Sequence, residues 1–178
     1  PVLEMVDRVA GLLKEAGVRV KVDATESRSA GWKFNEWELK GVPLRVEIGP
    51  RDVQNNSVVL ARRDVPGKEG KQFVGVDELA RRVADLLAEI QRALFDRALE
   101  FRKANTVHVS SYDQLRQAVE DRKFVDAFWC GNPECEEKIK DDTRATNRCI
   151  PLDQPGDSGP CVVCGTTSSE HSIFARAY

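Results

Sequence analysis

The sequence predicts an α/β first domain that mixes strands and helices, followed by a small α+β domain pinned by thiols. Three observations predict it. Strand-type and helix-type apolar periodicities follow one another through residues 2–101. The long amphipathic stretch that closes this part stops near residue 104, where the character of the sequence changes. All five cysteines fall within the last 49 of the 178 residues. The boundary is placed at residue 105, giving domains 1–105 and 106–178. At 41% hydrophobic residues, each has enough apolar side chain for a core.

Taken in order, Val2, Val6, Val9, Ala10 and Leu13 keep helical spacing, and Gly17 stands where a C-terminal cap belongs. Val18, Val20 and Val22 alternate with Arg19 and Lys21, a strand pattern. Residues 33–39 and 43–48 read as two strands joined through Lys40-Gly41 as a hairpin. Residues 57–61 form a further β-type run, and residues 65–70 a loop. Leu79, Val83, Leu86, Leu87, Ile90, Leu94, Ala98 and Phe101 mark one long helix, with Asp77 as its N-cap. Residues 111–121 read as a shorter helix and 125–129 as a strand. The chain opens at Pro1, already at a helix start, and therefore reads as a piece of something longer.

Lys plus Arg total 27 and Asp plus Glu 29, a net charge of −2 with pI near 5.8. A uniformly basic nucleic-acid coat is excluded, because phosphate neutralisation alone demands a clear cationic excess. No apolar run approaches the ~20 residues of a membrane helix, and no signal-peptide pattern opens the chain. The charge is nevertheless uneven. Residues 28–71 carry nine basic and six acidic side chains, while the rest of the chain sums to −5.

Cys130-Gly131-Asn132-Pro133-Glu134-Cys135 and Cys161-Val162-Val163-Cys164-Gly165 are two paired-thiol turns. Tetrahedral zinc takes four ligands at about 2.3 Å, and cysteines spaced two to four residues apart can hold one ion from a tight turn. Four thiolates leave no open position, so the expected zinc is structural. Buried free thiols or a single disulfide are the alternative. Cys149, in Arg148-Cys149-Ile150-Pro151, reads as a small buried hydrophobe. His108 and His171 have no carboxylate or nucleophile partner identifiable in sequence, and His171 is an alternative zinc ligand.

Residues 31–52 hold the densest mixture of charge and apolar character. Leu44, Val46 and Ile48 alternate with Arg45 and Glu47, and the hairpin places Glu38 near Arg45. Arginines and lysines can hold phosphates while a carboxylate accepts from the N1 and N2 donors of guanine, which suits reading of single-stranded bases. Cross-strand ion pairs on a solvated sheet face account equally well for the same spacing. Trp32 and Trp37 fit either base stacking or core packing. No GxxxxGK[ST], GxSxG or HExxH pattern occurs, so nothing marks a catalytic centre.

The stretch from Gly31 to Asp52, the paired cysteines, Arg148-Cys149-Ile150-Pro151 and the terminal Phe174-Ala175-Arg176-Ala177-Tyr178 together resemble prolyl-tRNA synthetases of the type with a C-terminal zinc-binding domain. The resemblance covers essentially the whole chain. It implies an anticodon-binding domain, a mixed sheet flanked by helices whose first strand is missing here, followed by a zinc-binding domain with Cys130, Cys135, Cys161 and Cys164 as ligands. It further implies Glu38, Arg45, Glu47 and Arg51 as anticodon base readers and Arg62, Lys68 and Lys71 as backbone contacts. The implied partners are the anticodon loop of a proline tRNA and the catalytic domain of the same enzyme, toward which Tyr178 reaches. The parent is expected to be a cytoplasmic homodimer that uses ATP and Mg²⁺ in a catalytic domain absent from this chain. A stand-alone zinc-stabilised RNA- or protein-binding module is the alternative.

Overall fold

The computed structural model describes residues 1–177, so the expectation placed on Tyr178 lies outside the described residues. The chain divides into two compact units, residues 1–97 and 98–178.

In the first unit, helix α1 (Val2–Glu15) buries Met5, Val9 and Leu13, one turn apart along a single face. It ends in a Schellman motif: Gly17 takes φ +79°, its N–H donates to the Lys14 carbonyl, and the Val18 N–H donates to Leu13, both at 2.9 Å. The segment after it corrects an expectation. Val18 and Val20 do pack against the core, but among the described residues no strand pairs with them, so alternation here reflects one-sided burial without a ladder.

The expected hairpin is corrected too. Residues 30–39 form helix α2 (Ala30–Leu39), followed by strand β1 (Leu44–Glu47). Ser29 Oγ accepts from the Trp32 N–H and caps the helix. Lys40-Gly41, read as a hairpin turn, ends it: Gly41 sits at φ +85°, with Gly41 N–H donating to Glu38 and Val42 N–H to Trp37. The Glu36–Lys40 pair at 2.6 Å, one turn apart, adds modest support.

Helix α3 (Pro50–Gln54), β2 (Ser57–Arg62) and β3 (Lys71–Gly75) come next. Helix α4 (Leu79–Ala104) follows a 3-10 turn, Val76–Glu78, which holds Asp77; Asp77 is thus inside the turn and not the helix N-cap. The sheet runs β1-β2-β3, antiparallel throughout; a mixed sheet requires a parallel strand besides these. One sheet face buries Val58, Leu60 and Val74 in a cluster with α1 residues and with Leu79, Val83 and Leu86 of α4. The other face carries Val59 and Ala61, also buried, and Phe34 and Glu38 of α2 lie against Arg45.

The second unit contains β4 (Thr106–His108), α5 (Tyr112–Glu120), β5 (Phe124–Phe128), α6 (Pro133–Thr143), β6 (Ala145–Cys149), β7 (Gly159–Pro160), β8 (Thr167–Ser168) and β9 (His171–Arg176). Its main sheet is ordered β4-β5-β9-β6; β4 and β5 are parallel and the other pairs antiparallel. β7 and β8 form a separate small ribbon. Leu115 and Val119 of α5, Ile139 of α6 and Val125, Ala127 and Phe174 of the sheet make the core. Cys149, expected to be buried, is exposed at the end of β6, where the strand breaks register and leaves the core.

Candidate functional site

Strand register builds the second face of the first unit's sheet. Arg45 on β1, Ala61 on β2 and Lys71 on β3 lie side by side, with Glu47, Val59 and Phe73 in the next row. Between two long cationic side chains, the methyl of Ala61 leaves a gap, the floor of a cleft of about 360 Å³. Glu38 of α2 forms one wall; Arg63, the Val65-Pro66-Gly67 turn and Lys68 form the other. Of the residues singled out in sequence, Glu38, Arg45, Arg62, Lys68 and Lys71 line this cleft. Glu47 joins it through hydrogen bonds, and Arg51 is exposed on α3, away from it.

The charges interlock. Arg45 donates to Glu38 at 2.6 Å and to Glu47 at 3.0 Å, and Lys71 donates to the other Glu47 oxygen at 2.8 Å. Burial works to raise the Glu47 pKa, but the hydrogen bonds from Lys71 and Arg45 outweigh it and hold the carboxyl below its ordinary value. The ion-pair reading of this stretch is therefore visible. The pairs form around a cleft lined by both carboxylate and cationic side chains.

Arg62 differs from its neighbours. Its guanidinium makes a two-pronged pair with Asp64, at 3.0 and 2.8 Å, and a third contact with Glu89 of α4 at 3.1 Å. The Asp64 side chain is only 2% exposed, and the Arg62 hydrogen bond depresses its carboxyl pKa. Arg62 thus braces the loop against the helix. By contrast, Lys68 and Arg63 have no ion pair among the described residues. Arg63 was missed in sequence, yet strand alternation puts it on the face of Ala61, opposite Arg62. Phe34 was missed as well: it lies beneath the Arg45 guanidinium, 3.8 Å from ring centroid to Cζ. The two are found together only if residues 30–39 are helical. Trp37 is structural, its indole N–H donating to Asp23 at 2.8 Å, whereas Trp32 is 44% exposed under Arg28.

The second unit gathers its thiols. Sγ of Cys130 lies 3.7 Å from that of Cys135 and 3.6 Å from that of Cys164, and all four sulfurs, with Cys161, fall within 4.8 Å of one another. A tetrahedron with ~2.3 Å bonds has edges of about 3.8 Å, so the four residues fit one metal ion. Local turns place them. Gly131 and Gly165 both adopt φ +76°, Asn132 caps α6 by accepting from Glu134 N–H, and Cys135 therefore sits in the first helical turn. Cys161 N–H donates to the Thr166 carbonyl at 2.8 Å and Gly165 N–H to Cys161 at 2.9 Å, closing the second turn.

Without a cation the cluster cannot ionise fully. The Thr166 hydroxyl, 3.4 Å from Cys164, and the Thr166 backbone pull that thiol down to about 6, while burial pushes Cys135 far up. Four thiolates at this separation repel, and a metal ion removes the conflict.

His108 and His171 also depart from expectation. Both face one carboxylate: His171 Nδ1 is 2.9 Å from Asp126 Oδ1, and His108 Nδ1 is 3.5 Å from Oδ2. No local pattern signals this, because the three residues lie on β4, β5 and β9 and meet only through sheet order. His171 accordingly belongs to a cluster separate from the thiols.

Residues 2–86 match the family described as "Anticodon binding domain", and residues 112–178 the family "Prolyl-tRNA synthetase, C-terminal". The chain is 52% identical over 177 residues to a proline–tRNA ligase of Roseiflexus sp. (strain RS-1), a match spanning 99% of this chain and 36% of that protein. A chloroplastic/mitochondrial proline–tRNA ligase of Arabidopsis thaliana is 46% identical over 180 residues, spanning 99% of this chain and 33% of the relative. The crystal structure of prolyl-tRNA synthetase from Cryptosporidium parvum, complexed with L-proline and AMP, superposes with a TM-score of 0.87 at 34% identity, over 98% of this chain and 37% of that one. The chain thus spans about a third of the length of the curated relatives it matches.

Proposed function

The chain belongs to the prolyl-tRNA synthetase family, whose anticodon-binding and C-terminal domains it carries, and on that premise we propose that it reads the anticodon of a proline tRNA. The observation that carries the reading is the cleft over Ala61, where a carboxylate and a guanidinium face the same opening. Guanine presents N1 and N2 donors to a carboxylate and O6 and N7 acceptors to an arginine. Proline anticodons have guanine at their second and third positions. Glu38, Arg45 and Glu47 are the proposed base readers at the cleft, and Arg51, exposed on α3 outside it, is the proposed reader beyond its rim. Lys68 and Lys71 contact the phosphates, and Arg62, bound to Asp64 and Glu89, holds the cleft wall.

The thiol cluster can hold a metal ion, and the proposed ion is a structural zinc on Cys130, Cys135, Cys161 and Cys164, supplying the positive charge that lets all four ionise. The proposed functional boundary is residue 105, with RNA reading before it and the zinc-supported domain after it. This chain covers the non-catalytic part. For the whole enzyme, the proposed activity is ATP- and Mg²⁺-dependent attachment of proline to its tRNA, in a cytoplasmic homodimer whose catalytic domain partners this chain. No helix among the described residues is long and apolar enough to cross a membrane.

The test is binding to a proline anticodon stem-loop and to one with both guanines replaced, across a salt series. Arg45→Ala is expected to cost about 1–3 kcal/mol against the cognate loop and little against the other, relaxing discrimination. Equal losses for both loops refute base reading by this cleft.

A further inference from the structure

We propose that His108, Asp126 and His171 form a second metal site, separate from the thiols, for a divalent transition ion of the class that prefers imidazole. The placement is set by the sheet. His108 stands directly opposite Asp126 across the parallel β4–β5 pair, and His171 lies two residues along β9 from Ile173, the partner of Asp126. All three side chains rise from one face, with ligand atoms within 4.8 Å of one another. Nitrogen and carboxylate oxygen bind such ions at about 2.0–2.2 Å, which sets ligand atoms some 3.3–3.5 Å apart. The observed separations from the Asp126 oxygens are 2.9 and 3.5 Å.

The second observation concerns the far side of the His171 ring. The ring is nearly sealed, with 4% of its side chain exposed, against Phe128 at 4.0 Å between centroids. Its Nε2 is buried without a hydrogen-bond partner, although Asp157 Oδ1 lies 3.3 Å away. If neutral His171 carries its proton on Nδ1, toward Asp126, then Nε2 turns a lone pair toward the Asp157 carboxylate, an unfavourable arrangement. A cation on Nδ1 inverts this. The proton then resides on Nε2, and Asp157 accepts it, the carboxylate–histidine–metal relay that orients such ligands. Gln154 holds the Asp157 loop in place, accepting from the His171 backbone N–H at 2.8 Å and donating to the Pro151 carbonyl at 2.7 Å. Three protein ligands leave a coordination position free, and the half-exposed His108 opens it to solvent, so water or a small anion completes the shell.

The experiment uses the full chain with its thiols already loaded with zinc and excess metal removed, titrated with Co²⁺. The expected result is saturable uptake of one further ion with weak visible absorption and no thiolate-to-cobalt charge-transfer band. That uptake is lost in His108→Ala, whose exposed position leaves the fold intact, as an unchanged melting curve before Co²⁺ addition verifies. Absence of saturable uptake, a charge-transfer band reporting exchange into the thiols, or uptake undiminished in His108→Ala each overturns the proposal.

Discussion

The thiol cluster and the arginine–carboxylate cleft solve opposite electrostatic problems. In the second unit, like groups converge: four sulfurs within 4.8 Å cannot all ionise until a cation arrives. In the first, opposite groups converge, and Glu38, Arg45, Glu47 and Lys71 already satisfy one another. The thiol cluster is therefore electrostatically incomplete, and the proposed zinc would relieve the repulsion among its thiolates. The cleft is already paired within itself, so under the proposed function a base would have to exchange intramolecular pairs for intermolecular ones. The lesson is that the first kind of site is left in electrostatic conflict until a cation arrives, while the second is already internally paired.

The sharpest way to break this contrast is to withhold the proposed zinc by chelation. Structural zinc in small domains is worth about 10–16 kcal/mol, as much as the whole ~5–15 kcal/mol stability of a typical domain. Chelation is therefore expected to unfold residues 125–178, abolishing the near-UV circular dichroism of Trp129, while the helical signal of residues 1–97 survives. A chelated sample with an unchanged melting curve contradicts the comparison. Next in size is Lys68→Ala, a cation with no ion pair among the described residues. Because no internal partner competes for it, it is expected to weaken cognate and mismatched stem-loops alike and to reduce the salt slope by about one. A salt slope unchanged in a filter-binding series shows that Lys68 does not touch phosphate.

The smallest effect is an acid one. The Trp37 indole and then the Thr25 backbone hydrogen-bond the Asp23 carboxylate and pull its pKa from 3.8 to about 2. Because the folded value lies below the unfolded one, the stabilisation is complete above about pH 4 and lost as pH falls through about 2. Asp23→Asn has no such increment to lose. The gap between the two melting curves is expected to close as pH drops across that window, and a constant gap rules out the linkage.

Legibility in the sequence followed the same division. The thiol site was readable because each pair lies within one short turn whose glycines, Gly131 and Gly165, announce the backbone they need. The cleft was readable only in part. Glu38 and Arg45 were expected to meet, and they do, but through a helix, a Schellman turn and a strand where a hairpin was expected. Trp37 and Leu39 alternate with Glu36 and Glu38 over a short window, and a glycine after a lysine serves a hairpin or a helix end equally well. What separates the two is Ser29, whose capping hydroxyl lies four residues before the ambiguous run. Ala61 was invisible as a cleft residue, since it matters by being small between Arg45 and Lys71, a relation that exists only after three strands pair. The His108–Asp126–His171 cluster lay beyond reach for the same reason, spread over 64 residue positions and joined by sheet order alone.

The order of strands also has a temporal meaning. The sheet of the first unit is a meander, with all its strands in hand once residue 75 is made. The sheet of the second unit cannot close so early, because β9, the last strand along the chain, is an inner strand between β5 and β6. At ~5–20 residues per second of synthesis, the roughly hundred residues between these two moments take on the order of 5–20 s. Within that interval Cys130 and Cys135 are made ahead of Cys161 and Cys164, and from the completion of β6 at Cys149 until β9 is made, β5 and β6 have an unfilled gap between them. Because β9 fills the place between β5 and β6, shortening this strand deprives the sheet of its centrepiece and leaves two exposed edges open to aggregation.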